Sequence, residues 1–173
     1  MKDVLQILAE YNSKVNHKMF SILSGMEKEL LDRETGVYFK NIYGILNHLA
    51  LSDTWWLQRI RKNMTEYQSL NNSLLDTEIT SLHQHIAEDV YGLIEKIKVL
   101  DGIYENMITN DVKEADISAD IKYVNYRKEN KTKKFNILLL HIFNHHTHHR
   151  GEISACLDIL KVENNFSNLI ELF

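Results

Sequence analysis

The chain contains no proline among its 173 residues and only six glycines. Average usage would give about nine prolines and about twelve glycines at this length. Because proline removes a backbone donor and clashes with the preceding helical turn, its absence leaves long helices uninterrupted. The composition favours a mostly helical protein and argues against proline-rich linkers, collagen and turn-dense β-sandwiches. At roughly 100–200 residues per domain, we expect a single domain over residues 1–173.

The charge and the cysteine count argue against several classes of protein. The 20 lysines and arginines against 24 aspartates and glutamates give a net charge of −4, without the basic excess of a nucleic-acid-binding domain. One basic run, Arg127–Lys134, is interrupted by Glu129 and is interpreted as a solvated loop. The lone Cys156 cannot form an intrachain disulfide. The N-terminus is charged too early for a signal peptide, and no apolar run reaches the roughly 18 residues of a membrane span. We expect a soluble, cytoplasmic protein with no nucleic-acid or membrane partner.

Apolar residues recur with a helical period in four segments, at about residues 3–23, 40–61, 77–107 and 134–160. The third segment has the most regular pattern, with apolar steps of three and four from Ile79 to Tyr104. Four amphipathic helices bury their apolar faces most simply against one another. The sequence therefore predicts an all-α fold, a four-helix bundle. It leaves open whether consecutive helices are neighbours or the chain crosses over.

Three shorter segments differ from this pattern. Residues 117–126 alternate apolar and polar side chains, which predicts a small β-hairpin before the last long helix. Residues 63–76 are rich in asparagine and indicate a surface loop. The tail, residues 165–173, is interpreted as a short C-terminal helix that docks on the bundle.

Histidines are concentrated near the C-terminal end, where five of the nine fall within nine residues. They are His141, His145, His146, His148 and His149. On a helix, His145 and His149 lie one turn apart and about 40° apart around the axis, so both imidazoles can aim at one point. Helical zinc sites use this spacing, and a catalytic zinc site needs a third ligand. The best candidate is His48, which lies among apolar residues in the middle of the second helix.

Each of these histidines also has a less specific interpretation. His48 could be a hydrogen-bonded core residue, and the cluster could be a solvated helix face with adventitious metal affinity. His141 lies one turn before His145 and is a substitute ligand. His146 and His148 point about 100° away from the shared direction, which makes them second-rank candidates.

Two segments resemble the signatures of a known family. Residues 141–152, HIFNHHTHHRGE, are similar to the Asn-His-x-Thr-His-His-Arg-Gly-Gln run of the DinB family of DinB/YfiT-like metalloenzymes. Residues 38–59, YFKNIYGILNHLALSDTWWLQR, resemble the family's other signature, and Tyr11-Asn12 also fits. The resemblance implies that His145, His149 and His48 bind a divalent metal. It also implies a homodimer and, from some relatives, a metal-dependent transferase that uses a low-molecular-weight thiol.

The C-terminal motif departs from the family at Glu152, where glutamine is common. Glutamate keeps an acceptor but loses the amide donors. Gly151 inside a helix costs roughly 1 kcal/mol relative to alanine, which predicts a close approach by a neighbouring helix. We expect Arg150 to be in a structural ion pair, with Glu152 as one partner, rather than on the surface or at a substrate anion. Cys156 is interpreted as a core thiol rather than a nucleophile.

Three neutral imidazoles would leave a divalent metal with its full charge and with open positions. Such a centre lowers the pKa of a bound water to about 7 or holds a thiol as thiolate. Zinc and nickel both suit imidazole ligands. Two alternatives to a thiol transferase acting on a small molecule therefore remain. One is a metal-dependent hydrolase, and the other is a non-catalytic bundle whose metal only stabilises the packing of the helices. No general base is evident, since Asp53 lies about 140° around the helix from His48. Trp55 and Trp56 point about 100° apart, so one of them could meet a partner chain.

Overall fold

Four long helices form the structure, a computed structural model that describes all of residues 1–173. The helices are α1 (Lys2–Ser24), α3 (Ile42–Asn63), α4 (Val90–Asn106) and α5 (Phe135–Ile159), with a single turn, α2 (Lys28–Leu31), after α1. Their apolar faces meet in one cluster of 41 buried residues. The predicted all-α four-helix bundle is confirmed. No helix has the length and apolar character needed to cross a bilayer.

The order of the helices around the bundle answers the question of topology. α1 packs against α4 and α5, and α3 packs against the same two helices. The consecutive long helices α1 and α3 therefore lie across a diagonal, as do α4 and α5. The chain crosses over the ends of the bundle at these two connections. One consequence is that α3 and α5, distant in sequence, become neighbours along their length.

The predicted β-hairpin is confirmed and lies before the last helix. β1 (Asp120–Val124) pairs antiparallel with β2 (Asn130–Lys134). Ile121 is the one fully buried residue of the hairpin, and β1 packs against α3. The tail contributes only a single 3-10 turn at Ile170–Leu172, although Phe166 before it is buried against the core.

The third predicted helix is wrong over its first part. α4 begins at Val90, whereas the periodicity predicted a start near Thr77. Asp89 caps the observed start, because its carboxylate accepts a hydrogen bond of 2.8 Å from the Gly92 amide. Residues 77–89 instead run as turns and extended chain over the surface of α3.

Side chains of α3 replace the helical hydrogen bonds in this segment. Asn47 donates to the Gln84 carbonyl at 2.9 Å and accepts from the Ile86 amide at 3.0 Å. Tyr43 donates to the Ala87 carbonyl at 2.7 Å. Because these tertiary hydrogen bonds satisfy backbone groups that a helix would have paired, the apolar period alone does not determine the local structure.

Gly44 in the first turn of α3 is required by a close approach of the chain. A Cβ there would lie 2.1 Å from the Phe39 carbonyl oxygen, whereas a Cβ at Gly102 on α4 would meet nothing within 4 Å. We expect Gly44→Ala to lower the free energy of unfolding by about 1–3 kcal/mol. Gly102→Ala should raise it by up to about 1 kcal/mol. Urea denaturation of both variants tests this, and equal effects would contradict the proposed contact.

Candidate metal centre

Three histidines from the neighbouring helices α3 and α5 converge between the two helices. His145 Nε2 lies 3.0 Å from His48 Nε2 and 2.9 Å from His149 Nε2. α5 supplies two of the rings through its i, i+4 spacing, and α3 supplies the third. The three residues predicted from the sequence are thus brought together. No fourth histidine, cysteine or carboxylate ligand joins this group.

Burial keeps these imidazoles neutral. It lowers the pKa of His48 to about 4 and that of His145 to about 2, and the neighbouring rings add to both shifts. Burial also lowers the pKa of His149, although a hydrogen bond to Glu152 opposes the change. At neutral pH the rings therefore carry lone pairs rather than extra protons, which is the state in which imidazole binds a metal.

The nitrogen spacing fits a divalent ion. Ligands at zinc–nitrogen distances of 2.0–2.1 Å in a tetrahedron lie roughly 3.3 Å apart. The observed separations of 2.9 and 3.0 Å need only a small outward shift to reach that value. Three partly buried ring nitrogens facing one another satisfy each other poorly, because each neutral ring has only one N–H to donate. A cation at their centre would be bound by all three lone pairs, so the cluster is compatible with metal binding.

Two cavities open beside His48. One, of about 540 Å³, lies between the start of α3 and the 82–85 segment, and Phe39 in its wall stacks on the His48 ring at 4.3 Å. The other, of about 450 Å³, lies between α3 and the β-hairpin. His141 also lines the second cavity and stacks on His145 at 5.9 Å between ring centroids. His48 is therefore the member of the three-histidine group that both cavities reach.

Comparison with known proteins identifies the family of the chain. The sequence profile of the DinB family matches residues 1–163. The chain belongs to the DinB family. Protein DinB of Bacillus subtilis (strain 168) is 26% identical to it over 159 residues, which cover 91% of this chain and 86% of that protein. No solved structure matches significantly.

Glu152, the departure from the usual DinB glutamine, contacts the cluster directly. Its carboxylate accepts a hydrogen bond of 2.6 Å from His149 Nδ1 and lies 3.5 Å from His148 Nε2. Donation by Nδ1 fixes the tautomer of His149 and leaves the Nε2 lone pair pointing at His145. A carboxylate in this position also makes the imidazole a stronger ligand. The contact uses only an acceptor, so the loss of the amide donors does not disturb it.

We expect Glu152→Ala to weaken binding of a divalent metal by about 10- to 100-fold, the usual effect of removing a group that orients a ligand. Glu152→Gln keeps an acceptor and should lose less. His148→Ala is the matched control, because His148 is exposed and its ring is not part of the three-histidine group. Competition with a chromogenic chelator measures all three affinities. A loss in His148→Ala as large as that in Glu152→Ala would instead place the metal at His148, His149 and Glu152.

His146, a second-rank candidate, has a different partner. It is fully buried, and its Nε2 lies 2.7 Å from Asp53 Oδ2 on α3. Asp53 also accepts a long hydrogen bond of 3.5 Å from Tyr104 on α4. Asp53 therefore faces the interior away from His48, as the helical angle predicts. Its contacts tie α3, α4 and α5 together beside the three-histidine cluster.

Arg150 corrects the sequence-based expectation. It does not pair with Glu152 but is 2% exposed and donates to Asn12 and Asn16 of α1. The amide nitrogens of both asparagines in turn donate to Asp101 of α4, at 2.8 and 2.9 Å. Sequence analysis missed Asn16 and Asp101, because no short-range spacing links residues so far apart in the chain. Asn12 could have been found, since it follows Tyr11 in the motif quoted above.

Three further expectations have clear outcomes. A Cβ at Gly151 would meet nothing within 4 Å, so the predicted close approach there is wrong. Cys156 is fully buried, lies 3.0 Å from Thr35 Oγ1, and has its pKa raised by burial. Cys156 is therefore a core thiol, as predicted. Both Trp55 and Trp56 flank Arg59 of the same helix, so contacts within the chain account for the tryptophan pair.

Proposed function

We propose that the chain binds one divalent metal through His48, His145 and His149 and acts as a metal-dependent transferase that uses a low-molecular-weight thiol. The observation that carries this proposal is a three-nitrogen cluster without a fourth protein ligand, one member of which, His48, lines two cavities. A structural zinc site is closed by four protein ligands, whereas a catalytic one keeps a position free. The cluster resembles the second kind.

The residues of the chain prepare this site in three ways. Burial keeps the imidazoles unprotonated, Glu152 sets the tautomer of His149, and Phe39 stacks on His48 and restricts the rotation of its ring. When bound there, a divalent metal would supply the positive charge that holds an added thiol as thiolate. The cavities on either side of His48 give that thiol and an electrophile separate paths to the cluster.

The experiment starts from metal analysis of the purified protein, which should give about one zinc or nickel ion per chain. The protein is then loaded with cobalt and titrated with cysteine, glutathione and 2-mercaptoethanol. We expect a saturable thiolate-to-metal charge-transfer band that is absent in His48→Ala. If no thiol perturbs the spectrum while an ester or amide is hydrolysed, the function is that of a metal-dependent hydrolase. If neither thiol binding nor hydrolysis occurs and the metal only raises the melting temperature, the metal has a purely structural role.

We further propose that the chain is a homodimer in the cytoplasm. The family resemblance supports the dimer, and a chain with a single cysteine does not depend on an intrachain disulfide, as is usual for proteins of a reducing compartment. Light scattering should give twice the chain mass of 20.3 kDa. A 20.3 kDa species at every concentration would contradict the dimer.

A further inference from the structure

The charged side chains in the wall of the cavity between α3 and the β-hairpin are all positive. One stripe of α3 lines it, with His48, Ser52, Trp56 and Arg59 at steps of three and four. The hairpin faces this stripe with Tyr123, Lys131 and Lys133. In the antiparallel register Tyr123 opposes Lys131, and both lysines lie on the same face of β2. No aspartate or glutamate lines the cavity.

Arg59 is a buried cation without a counterion. It is 8% exposed, and its one hydrogen bond to the protein runs from Nη2 to the Val124 carbonyl at 2.8 Å. The guanidinium stacks on the rings of Trp55, Trp56 and Tyr123, at 3.9, 4.6 and 5.1 Å. A guanidinium has five N–H donors, so four remain for a ligand or for water. Burial lowers the pKa of Arg59 to about 10, which leaves it charged at neutral pH.

The two lysines of β2 that line the cavity add to the positive charge of its wall to different degrees. Lys131 is partly neutralised by Glu129 at 2.8 Å. Lys133 forms no ion pair, whereas the next lysine along β2 pairs with Asp120. A buried charge is costly unless a partner of opposite sign compensates it. Arg59 is the buried charge of this cavity and has no such partner within the protein, and the exposed Lys133 has no ion-pair partner either.

We propose that this cavity binds a small organic anion, with a carboxylate between Arg59 and Lys133 and an apolar or aromatic body against Trp55, Trp56 and Tyr123. Because His48 lines the same cavity, this anion is the second, non-thiol substrate of the transferase, and that role rests on the proposed function. A volume of about 450 Å³ suits a molecule of this size. Arginine beside aromatic rings recognises a carboxylate bidentately while the rings bind the apolar part.

The two tryptophans of the chain, Trp55 and Trp56, both line this cavity, so intrinsic fluorescence reports on it directly. The probe is 3-phenylpropionate, compared with its neutral amide, 3-phenylpropanamide. We expect the carboxylate to perturb the fluorescence saturably and to bind more tightly than the amide. Lys133→Gln should weaken carboxylate binding about threefold, the effect of one exposed charge. Arg59→Gln should weaken it by about tenfold or more, because it removes charged hydrogen bonds.

Lys122→Gln is the matched control. It removes the same charge from the opposite face of the hairpin, since Lys122 opposes Thr132 rather than either cavity lysine. If this variant weakens binding as much as Lys133→Gln, or if the amide binds as tightly as the carboxylate, the proposal is wrong. Because Arg59→Gln could disturb folding, the fold of this variant is checked by circular dichroism. The proposal is judged on the affinity of Lys133→Gln for the carboxylate.

The same titrations on metal-free protein separate this proposal from the metal site. Carboxylate binding that survives metal removal and still depends on Lys133 supports an anion site in the cavity, even if no thiol ever binds to the metal. Binding that vanishes with the metal and ignores Lys133→Gln places the anion on the metal and overturns the inference. Failure of the protein to bind any divalent metal would overturn the proposed function while leaving the cavity measurement valid.

Discussion

Replacing His145 by alanine is expected to lower the affinity for a divalent metal by more than about a hundredfold. His145 is the central member of the cluster, because its Nε2 lies within 3.0 Å of the Nε2 atoms of both His48 and His149. Removing a group that only orients a metal ligand costs about 10- to 100-fold in affinity. Removing a ligand itself must cost more. Competition with a chelator of known affinity measures the change.

His141→Ala is the control for this prediction. His141 lies one turn earlier on the same helix, is exposed, and stacks on His145 without joining the three-nitrogen group. Its removal should change the metal affinity less than about threefold, while the helical circular dichroism of both variants stays near that of the wild type. If His145→Ala keeps its metal and His141→Ala loses it, the site lies one turn nearer the N-terminus of α5. That outcome would contradict the assignment of the ligands.

The sequence predicts the convergence of the two candidate ligands on α5 because helical geometry alone determines their relation. His145 and His149 are four residues apart on an uninterrupted helix, so their convergence needs no knowledge of the rest of the fold. His48 is different, since nothing local distinguishes it from a core histidine. Its place at the cluster follows from the packing of α3 beside α5; its position among apolar residues made it the best candidate, and the family resemblance supported that choice.

The sequence fails where tertiary hydrogen bonds decide the local structure. Residues 77–89 carry the apolar period of a helix, but the side chains of Asn47 and Tyr43 bond to the backbone of this segment. The helix begins only after Asp89, which caps it. The partner of Arg150 was missed for a related reason. Its charge is balanced by Asp101, 49 positions earlier, through two asparagines of α1. Neither arrangement leaves a periodic signal in the chain.

Asp101→Ala is expected to lower the free energy of unfolding by about 3–5 kcal/mol, because it leaves the Arg150 charge buried without a counterion. Burial raises the pKa of Asp101 to about 6, so the carboxyl is mostly ionised at neutral pH. The substitution also removes the acceptor for the amide groups of Asn12 and Asn16. Glu95→Ala on the same helix is the control, since the exposed Glu95–Lys98 pair should contribute less than about 1 kcal/mol. Urea denaturation at pH 7 compares the two.

A double-mutant cycle separates the ion pair from the loss of packing around Asp101. Arg150→Met keeps much of the side-chain volume but removes the charge, so in its presence Asp101→Ala no longer strands a cation. We expect the double variant to be more stable than the sum of the single effects predicts, by about 1–3 kcal/mol. Additive effects would mean that the two asparagines shield the charges from each other.

Arg150 follows His149 directly, and its anchoring to α1 and α4 fixes the rotation of α5 about its own axis. The same cycle, read through the chelator assay, should therefore show weaker metal binding in the single variants, because a rotated α5 no longer aims His145 and His149 at His48.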